Sequence, residues 1–116
     1  TNNILIFENT KMERENGWHT YYVYILTNRH RRVLYTGVTN NLAVRLLQHS
    51  SLLNPESFTA RYKCFYLVYY EKFTWIQEAI AREKEIKNLR RSLKLDLIRN
   101  ANPDMEFLND DFKESY

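Results

Sequence analysis

Five side chains in the middle of this 116-residue sequence can take part in the chemistry of phosphate esters. They are two tyrosines, an arginine, a histidine and a glutamate: Tyr24, Tyr35, Arg45, His49 and Glu83. A phenol or an imidazole can accept or donate a proton. A guanidinium can stabilise negative charge that develops on a phosphate, and a carboxylate can hold a divalent cation. The set matches the requirements of phosphodiester hydrolysis.

A helix is predicted that is capped by Asn40 or Asn41 and runs to about Ser50, and it places its arginine and its histidine beside its leucines. At about 100° per residue, Leu42 and Leu46 define the inward stripe of this helix. Arg45 and His49 then lie on the flank of that stripe. An arginine there can extend to solvent, and a histidine can be hydrogen-bonded at the edge of the core. Taken alone, each residue is explained more simply by a structural role.

The helix predicted from Trp75 to Asn88 directs Glu83 the same way as its isoleucines. A carboxylate in an apolar stripe is costly unless it is paired or bound to a cation. Two interpretations stay open. Glu83 is an inward carboxylate paired with Arg45 or Lys87, or it is a metal ligand or general base at the rim of the core.

The two tyrosines lie on the strands that flank a basic turn, Asn28–Arg32. The strands, Tyr21–Thr27 and Val33–Val38, are close enough to form an antiparallel hairpin. Such a hairpin would bring Tyr24 and Tyr35 to one end of a sheet. For either tyrosine alone, a half-buried strand aromatic is the simpler interpretation.

Further elements complete an order of β-β-α-β-α-α. A third strand is predicted at Phe65–Glu71, Thr74 with Gln77 fits a capping box for the helix that follows, and residues 90–100 form a last helix. The segment 50–64, broken by Asn54-Pro55, is predicted as a connection. The order favours an α+β fold with a small three-stranded antiparallel sheet flanked by helices. We divide the chain into an N-terminal extension (1–18), a domain (19–103) and an acidic C-terminal tail (104–116).

Charge is concentrated in the predicted domain. The chain has 17 Lys+Arg and 14 Asp+Glu, but residues 19–100 hold 14 of the former and only 6 of the latter. A basic domain favours phosphate-bearing partners, although a solvated basic face has the same composition. The single Cys64 excludes an internal disulfide framework, and no apolar run is long enough to cross a membrane. The first residues do not resemble a signal peptide, so we expect a cytoplasmic protein.

At these residues the chain resembles the GIY-YIG endonuclease superfamily, above all its small standalone bacterial members. The nuclease domain of the bacterial excinuclease is a more distant resemblance. The similarity covers residues 19–103 and is carried by an ordered set of motifs: Val23-Tyr24-Ile25, Tyr35-Thr36-Gly37, the run from Gly37 to Leu42, Arg45, His49, Phe58-Thr59, the run from Leu67 to Tyr70, and the run from Glu78 to Lys84. Val23 and Thr36 depart from the name motifs at strand positions, where they replace no reactive group.

The resemblance implies a role for each candidate residue. Tyr24 and Tyr35 would line the site, and one of them would position or deprotonate the attacking water. Arg45 would stabilise the phosphate in the transition state, and His49 would assist proton transfer or hold a phenol. Glu83 would bind a single Mg²⁺ or Mn²⁺ ion.

The resemblance thus implies a metal-dependent endonuclease that cuts DNA with little sequence preference, with DNA repair or recombination as the expected setting. The alternative is a nucleic-acid-binding module of the same fold that cleaves weakly or not at all. A protein-interaction domain is a third interpretation, and it leaves the inward Glu83 unexplained. Neither the sequence nor the resemblance indicates an oligomeric state.

Overall fold

A computed structural model describes residues 20–50 and 57–112 of the chain. The predicted N-terminal extension, residues 1–18, lies outside these residues, as do 51–56 and the last four positions. The described elements follow in chain order: β1 (Tyr21–Thr27), β2 (Leu34–Thr39), α1 (Leu42–Ser50), α2 (Phe58–Tyr62), β3 (Tyr66–Phe73), α3 (Ile76–Lys87), α4 (Arg91–Ala101) and a 3₁₀ helix (Asn109–Phe112).

The three strands form one antiparallel sheet in the order β2-β1-β3, which confirms the predicted α+β architecture. In the hairpin of β1 and β2, Tyr24 lies opposite Gly37 and Leu26 lies opposite Tyr35. Because side chains alternate between the faces of a sheet, Tyr24 and Tyr35 therefore project from the same face at diagonal positions.

The two faces of the sheet bury different residues. One face packs against α3 and α4 through a largely aliphatic cluster: Val23, Ile25, Val38, Val68, Ala79, Ile86 and Ile98. The other face packs against α1 through a second cluster: Tyr24, Leu26, Leu42, Leu46, Cys64 and Leu67. The alternation along β1 thus assigns Ile25 to the aliphatic face and its neighbours Tyr24 and Leu26 to the other.

Helix α1 begins where the sequence predicts. The side chain of Asn41 caps it, with Oδ1 accepting a hydrogen bond from the Val44 amide at 3.1 Å. Leu42 and Leu46 are buried, as the predicted inward stripe requires. The cap fixes the start of the helix and with it the direction in which Arg45 extends.

Two local predictions are wrong. The N-cap of α3 is Trp75 and no side chain caps it, so Thr74 and Gln77 do not form the predicted capping box. The segment predicted as a connection contains the five-residue helix α2, whose N-cap Ser57 accepts a hydrogen bond from the Ala60 amide through Oγ at 3.2 Å. Five residues are too few to show a helical period, so only the cap signals this helix.

The acidic segment after Pro103 packs along β3 as far as Phe112. The Leu108 amide donates to the Leu67 carbonyl at 2.7 Å. The Asn109 side chain accepts from the Leu67 amide at 2.9 Å and donates to the Phe65 carbonyl at 2.8 Å. The pairing of β3 with β1 is irregular beside Leu67, since the register shifts between Ile25 and Leu26.

Asn102, the last residue before Pro103, occupies this irregularity. Its Nδ2 donates to the Val68 carbonyl at 2.9 Å, and its Oδ1 accepts from the Glu106 amide at 3.0 Å. A single buried side chain thereby ties the end of α4 to β3 and to the acidic segment.

Of the helices that the structure describes, none is long and apolar enough to span a bilayer.

Candidate active site

The Tyr24 hydroxyl lies at the centre of the candidate site, and Gly37 makes room for it. A Cβ atom at Gly37 would come within 2.5 Å of the Tyr24 Oη. Real Cβ contacts are never this short, so the glycine lets the phenol lie directly over β2. Tyr24 is fully buried. Burial, together with the nearby Tyr35, holds the pKa of the Tyr24 hydroxyl well above its ordinary value.

Helix α1 brings two polar side chains to this hydroxyl. The Tyr24 Oη lies 3.0 Å from His49 Nε2, and Arg45 donates to it from Nε at 3.3 Å. Arg45 also donates from Nη1 to Gln48 at 3.1 Å, and it is half-buried. Because α1 makes one turn in about four residues, Arg45 and His49 approach the same phenol from successive turns. The structure thus brings three of the five predicted residues into direct contact.

His49 is held from both sides of its ring. Its Nδ1 lies 2.9 Å from the Oγ1 of Thr59, a buried residue of α2. Burial, and then the positive charge of Arg45, lower the pKa of His49 to about 4. The imidazole is therefore neutral at pH 7 and carries a proton on one nitrogen only. With Nδ1–H donating to Thr59, Nε2 accepts the Tyr24 hydroxyl proton, and each of these polar groups has a partner.

The sequence did not reveal Thr59 as a partner of His49. The two residues are ten positions apart, and their contact depends on α2, which was predicted as part of a connection. The signal available was Ser57, a residue type that favours helix N-caps, two positions before Thr59.

Tyr35 lies beside this hydrogen-bonded group and is more open than Tyr24. Its ring centroid is 6.4 Å from that of Tyr24 and 5.5 Å from that of His49. On its other side it stacks on Phe58 at 5.8 Å, and Phe58 contacts Tyr62 at 4.7 Å. Phe58 and Tyr62 are exposed, and Tyr35 is half-buried. Of the two predicted phenols, Tyr35 is thus the one at the surface of the site.

Glu83 is buried on α3, as the helical period predicts, and it is paired with Lys87. The Lys87 Nζ lies 3.0 Å from a Glu83 carboxylate oxygen, with the side chains 41% and 6% exposed. Lys87, one of the two ion-pair partners considered from the sequence, is thus confirmed as a partner of Glu83. The Glu83 carboxylate also contributes to the raised pKa of Tyr24, which puts its charge within electrostatic range of the phenol.

A second carboxylate on the neighbouring strand anchors α3. Glu71 on β3 accepts from Arg82 Nε at 2.9 Å and from Arg82 Nη2 at 2.9 Å, and it also accepts from the Tyr69 hydroxyl. These interactions lower the pKa of the Glu71 carboxyl despite its partial burial. Because Arg82 precedes Glu83, this bidentate pair fixes the segment of α3 that carries the candidate metal ligand.

The residues present fit a metal ion that takes one ligand from the protein and most of its ligands from water and the phosphate of the substrate. In residues 20–50 and 57–112, no group of three or more His, Cys, Asp or Glu side chains could hold an ion. Mg²⁺ commonly uses only one or two carboxylates, and water and substrate phosphate oxygens complete its shell. Glu83 is a buried carboxylate near the phenols, and its present cationic partner belongs to a largely exposed side chain. A divalent ion could therefore replace that ammonium group.

The candidate site lies within a region that matches a known protein family. Residues 20–96 match the model of the GIY-YIG catalytic domain. The chain is 37% identical over 78 residues to a UPF0213 protein of Staphylococcus haemolyticus, which covers 67% of this chain and 93% of that protein. It is 43% identical over 77 residues to a UPF0213 protein of Clostridium perfringens, with coverages of 66% and 81%.

A solved structure is also similar. It is the solution NMR structure of a UPF0213 protein from Bacillus halodurans, with 30% sequence identity and a TM-score of 0.49. The match covers 73% of this chain and 88% of that one.

Proposed function

This chain belongs to the GIY-YIG family, whose catalytic domain is of the endonuclease type, and we propose that it is a metal-dependent enzyme that hydrolyses phosphodiester bonds in DNA. The observation that carries the proposal is the contact of Arg45 and His49 with the buried Tyr24 hydroxyl. This arrangement holds a guanidinium in a fixed position at the edge of a protein core, where a phosphate can meet it. Preorganised charge of this kind is the main requirement of phosphoryl-transfer catalysis.

In the proposed mechanism, Arg45 binds the negative charge that develops on the scissile phosphate. Tyr24 is a positioning residue, because it is fully buried and its oxygen accepts from Arg45. Holding the guanidinium in one orientation limits the reorganisation that the transition state would otherwise require. A guanidinium carries five N–H donors, so the Nη groups of Arg45 can turn to phosphate oxygens while its Nε continues to bind Tyr24.

Tyr35 is the phenol that meets the substrate, since its ring lies at the surface of the site. We assign it the positioning of the attacking water, and we assign neutral His49 the acceptance of the proton that this water loses as its oxygen bonds to phosphorus. The lowered pKa of His49 keeps the imidazole unprotonated at pH 7, as a proton acceptor must be. Thr59 orients the ring through Nδ1 so that Nε2 faces the phenols.

Glu83 would hold the single Mg²⁺ or Mn²⁺ ion of the proposed enzyme. When bound, such an ion neutralises the charge of the phosphate and polarises its oxygens. The ion, the preference for DNA, a setting in repair or recombination and a cytoplasmic location remain predictions of this proposal. They extend beyond family membership and are testable separately.

Plasmid cleavage tests the proposal. The purified protein should nick or linearise supercoiled DNA in the presence of Mg²⁺ or Mn²⁺ and should lose this activity when a chelator is added. Arg45→Ala and Glu83→Ala should each abolish cleavage, because each removes a charge that acts on the phosphate or on its ion. Matched controls are Arg99→Ala and Glu78→Ala, which remove the same charges from exposed positions on α4 and α3. Unchanged cleavage in both site variants would eliminate the proposed site.

The second candidate function is nucleic-acid binding by the same fold without cleavage. The Glu83–Lys87 ion pair favours it, since it satisfies the buried carboxylate without a metal. Metal-dependent product formation separates the two candidates. DNA binding that weakens with salt, with no product at any Mg²⁺ or Mn²⁺ concentration, would establish the binding module instead.

A further inference from the structure

The basic turn between β1 and β2 forms one exposed surface with the start of α4. Arg91, the first residue of α4, donates from Nη2 to the backbone carbonyl of Arg32 in the turn. Arg29, Arg32, Arg90 and Arg91 are exposed. Lys94 lies one turn along the same helix, beside Arg90 and Arg91. We call these five cations the turn patch: Arg29, Arg32, Arg90, Arg91 and Lys94.

The backbone that carries the turn patch is held in place by buried and half-buried polar groups. The Oδ1 of Asn28 accepts from the Arg32 amide at 2.8 Å and from the Val33 amide at 3.1 Å. The Thr27 hydroxyl donates to the Val33 carbonyl at 2.8 Å. Because both sides of the turn are bonded in this way, its cations are presented from a fixed frame.

Arg31 stabilises the same turn through contacts with the acidic segment. It has a left-handed backbone conformation (φ 59°), which is unfavourable for an arginine. Its Nε donates to the Met105 carbonyl at 2.9 Å, and its guanidinium lies over the Phe107 ring at 4.1 Å. These contacts offset the backbone strain and direct Arg31 towards the acidic segment. Arg29 and Arg32 are the other exposed arginines of the turn.

The two chain segments that carry the turn patch contain basic residues and no acidic ones. Residues 28–33 and 88–95 hold six Lys+Arg and no Asp or Glu, whereas the rest of the chain has 11 Lys+Arg against 14 Asp+Glu. The first turn of α4 contains no acidic residue, and cations there are disfavoured by the helix dipole. Gathering like charges at this end of the molecule therefore opposes folding, and a polyanionic partner would reverse that effect.

The position of the turn relative to the candidate site suggests which polyanion it meets. The turn begins four residues beyond Tyr24 on β1, which is about 13 Å along the strand. That distance equals roughly four base pairs of rise along a duplex. We propose that the turn patch binds the phosphate backbone of DNA to one side of the scissile phosphate. This inference rests on the proposed function, because it takes DNA as the substrate.

Salt-dependent binding of the full chain to a labelled random-sequence duplex tests the proposal. Chelator is present throughout, so binding is read without cleavage. The slope of log K against log salt is negative, and the double variant R29Q/R32Q should reduce its magnitude by about 2. The variant should also weaken binding on the order of tenfold at physiological salt. The control K72Q/R99Q removes two exposed charges from β3 and the far end of α4 and should change the slope by less than half as much.

The outcomes separate this proposal from the proposed function. Suppose that the protein does not cleave plasmid DNA, and that R29Q/R32Q reduces the salt dependence of binding while K72Q/R99Q does not. The turn patch is then supported and the enzymatic function is not. If cleavage succeeds and both double variants lower the slope equally, the turn patch is overturned while the enzyme stands. Vesicles rich in anionic lipid provide a further arm. Binding to vesicles that depends on Arg29 and Arg32, without such dependence on DNA, would overturn the proposal in favour of a membrane contact.

Discussion

The two faces of the sheet differ in what they bury, although the same three strands supply both. The face under α3 and α4 buries mainly aliphatic side chains, such as Val23 and Ile25. The face under α1 buries a phenol whose hydroxyl contacts a guanidinium and an imidazole. Apolar packing stabilises a fold without directing any polar group outwards. A buried hydrogen-bonded cluster contributes less to stability, but it fixes the orientation of reactive groups.

The difference indicates a division of tasks between the faces. We expect substitutions on the aliphatic face to change the free energy of unfolding and to leave catalysis by the folded fraction intact. We expect substitutions on the face of Tyr24 to change catalysis at a smaller cost in stability.

The largest effect is expected at the centre of the sheet. Ile25→Ala removes a fully buried side chain and should lower the free energy of unfolding by about 3–4 kcal/mol. Urea denaturation measures this loss, and cleavage per folded molecule should stay within about threefold of the wild-type rate (a change below 1 kcal/mol). Leu26→Ala is the matched control, because Leu26 is equally buried on the same strand but lies opposite Tyr35. Leu26→Ala should lower the free energy of unfolding by a similar amount and should also slow cleavage. Equal cleavage rates per folded molecule in the two variants would contradict the distinction between the faces.

An intermediate effect is expected from the protonation of His49. Its pKa is lowered to about 4 from the ordinary 6.5, so the unfolded chain binds the proton first as the pH falls. Burial of the neutral imidazole therefore contributes about 3 kcal/mol to the free energy of unfolding. This contribution is present above pH 6.5 and is lost as the pH falls towards 4.

Carboxylates titrate in the same pH range. Comparison of wild type with His49→Gln separates their contribution to the unfolding free energy from that of His49. The difference in their unfolding free energies, measured by denaturation at several pH values, should shrink in the direction of acid. A difference that stays constant across the range would show that the imidazole is not buried in its neutral form.

The smallest effect concerns a single hydroxyl. Tyr24→Phe leaves Arg45 Nε and His49 Nε2 without their shared partner, which should cost about 1–2 kcal/mol of stability. If Tyr24 is a positioning residue, kcat should fall about tenfold with little change in KM. Tyr22→Phe is the control on the same face, since the ring of Tyr22 packs against those of Tyr70 and Phe112. Equal kcat values for the two variants would exclude a positioning role for Tyr24.

The sequence was sufficient to predict the features that depend on regular periods. Alternation along β1 placed Tyr24 on one face, and the helical period placed Glu83 inwards and Arg45 on the flank of α1. The last helix was also predicted correctly, although its segment SLKLDL alternates like a strand, because it is long enough to complete three turns. The directions of these side chains follow from the periods of the helix and the strand, which can be counted along the sequence.

The features that were missed depend on tertiary contacts or on single caps. The helix α2 is too short to show a period, so the contact of Thr59 with His49 was not predicted, although Phe58-Thr59 is one of the motifs that carry the family resemblance. The pattern Thr74–Gln77 fits a capping box, but the chain starts α3 at Trp75 instead. The partner of Glu83 was likewise left open between Arg45 and Lys87, and the pair with Lys87 is visible only in the folded arrangement.

The packing of residues 105–112 along β3 has a consequence for the solution behaviour of the protein. An edge strand with open N–H and C=O groups can pair with a strand of another molecule, which leads to aggregation. Here the outward groups of Leu67 are already bonded to Leu108 and Asn109, and the Val68 carbonyl is bonded to Asn102. The acidic segment and Asn102 therefore shield this part of the sheet edge from pairing with another chain.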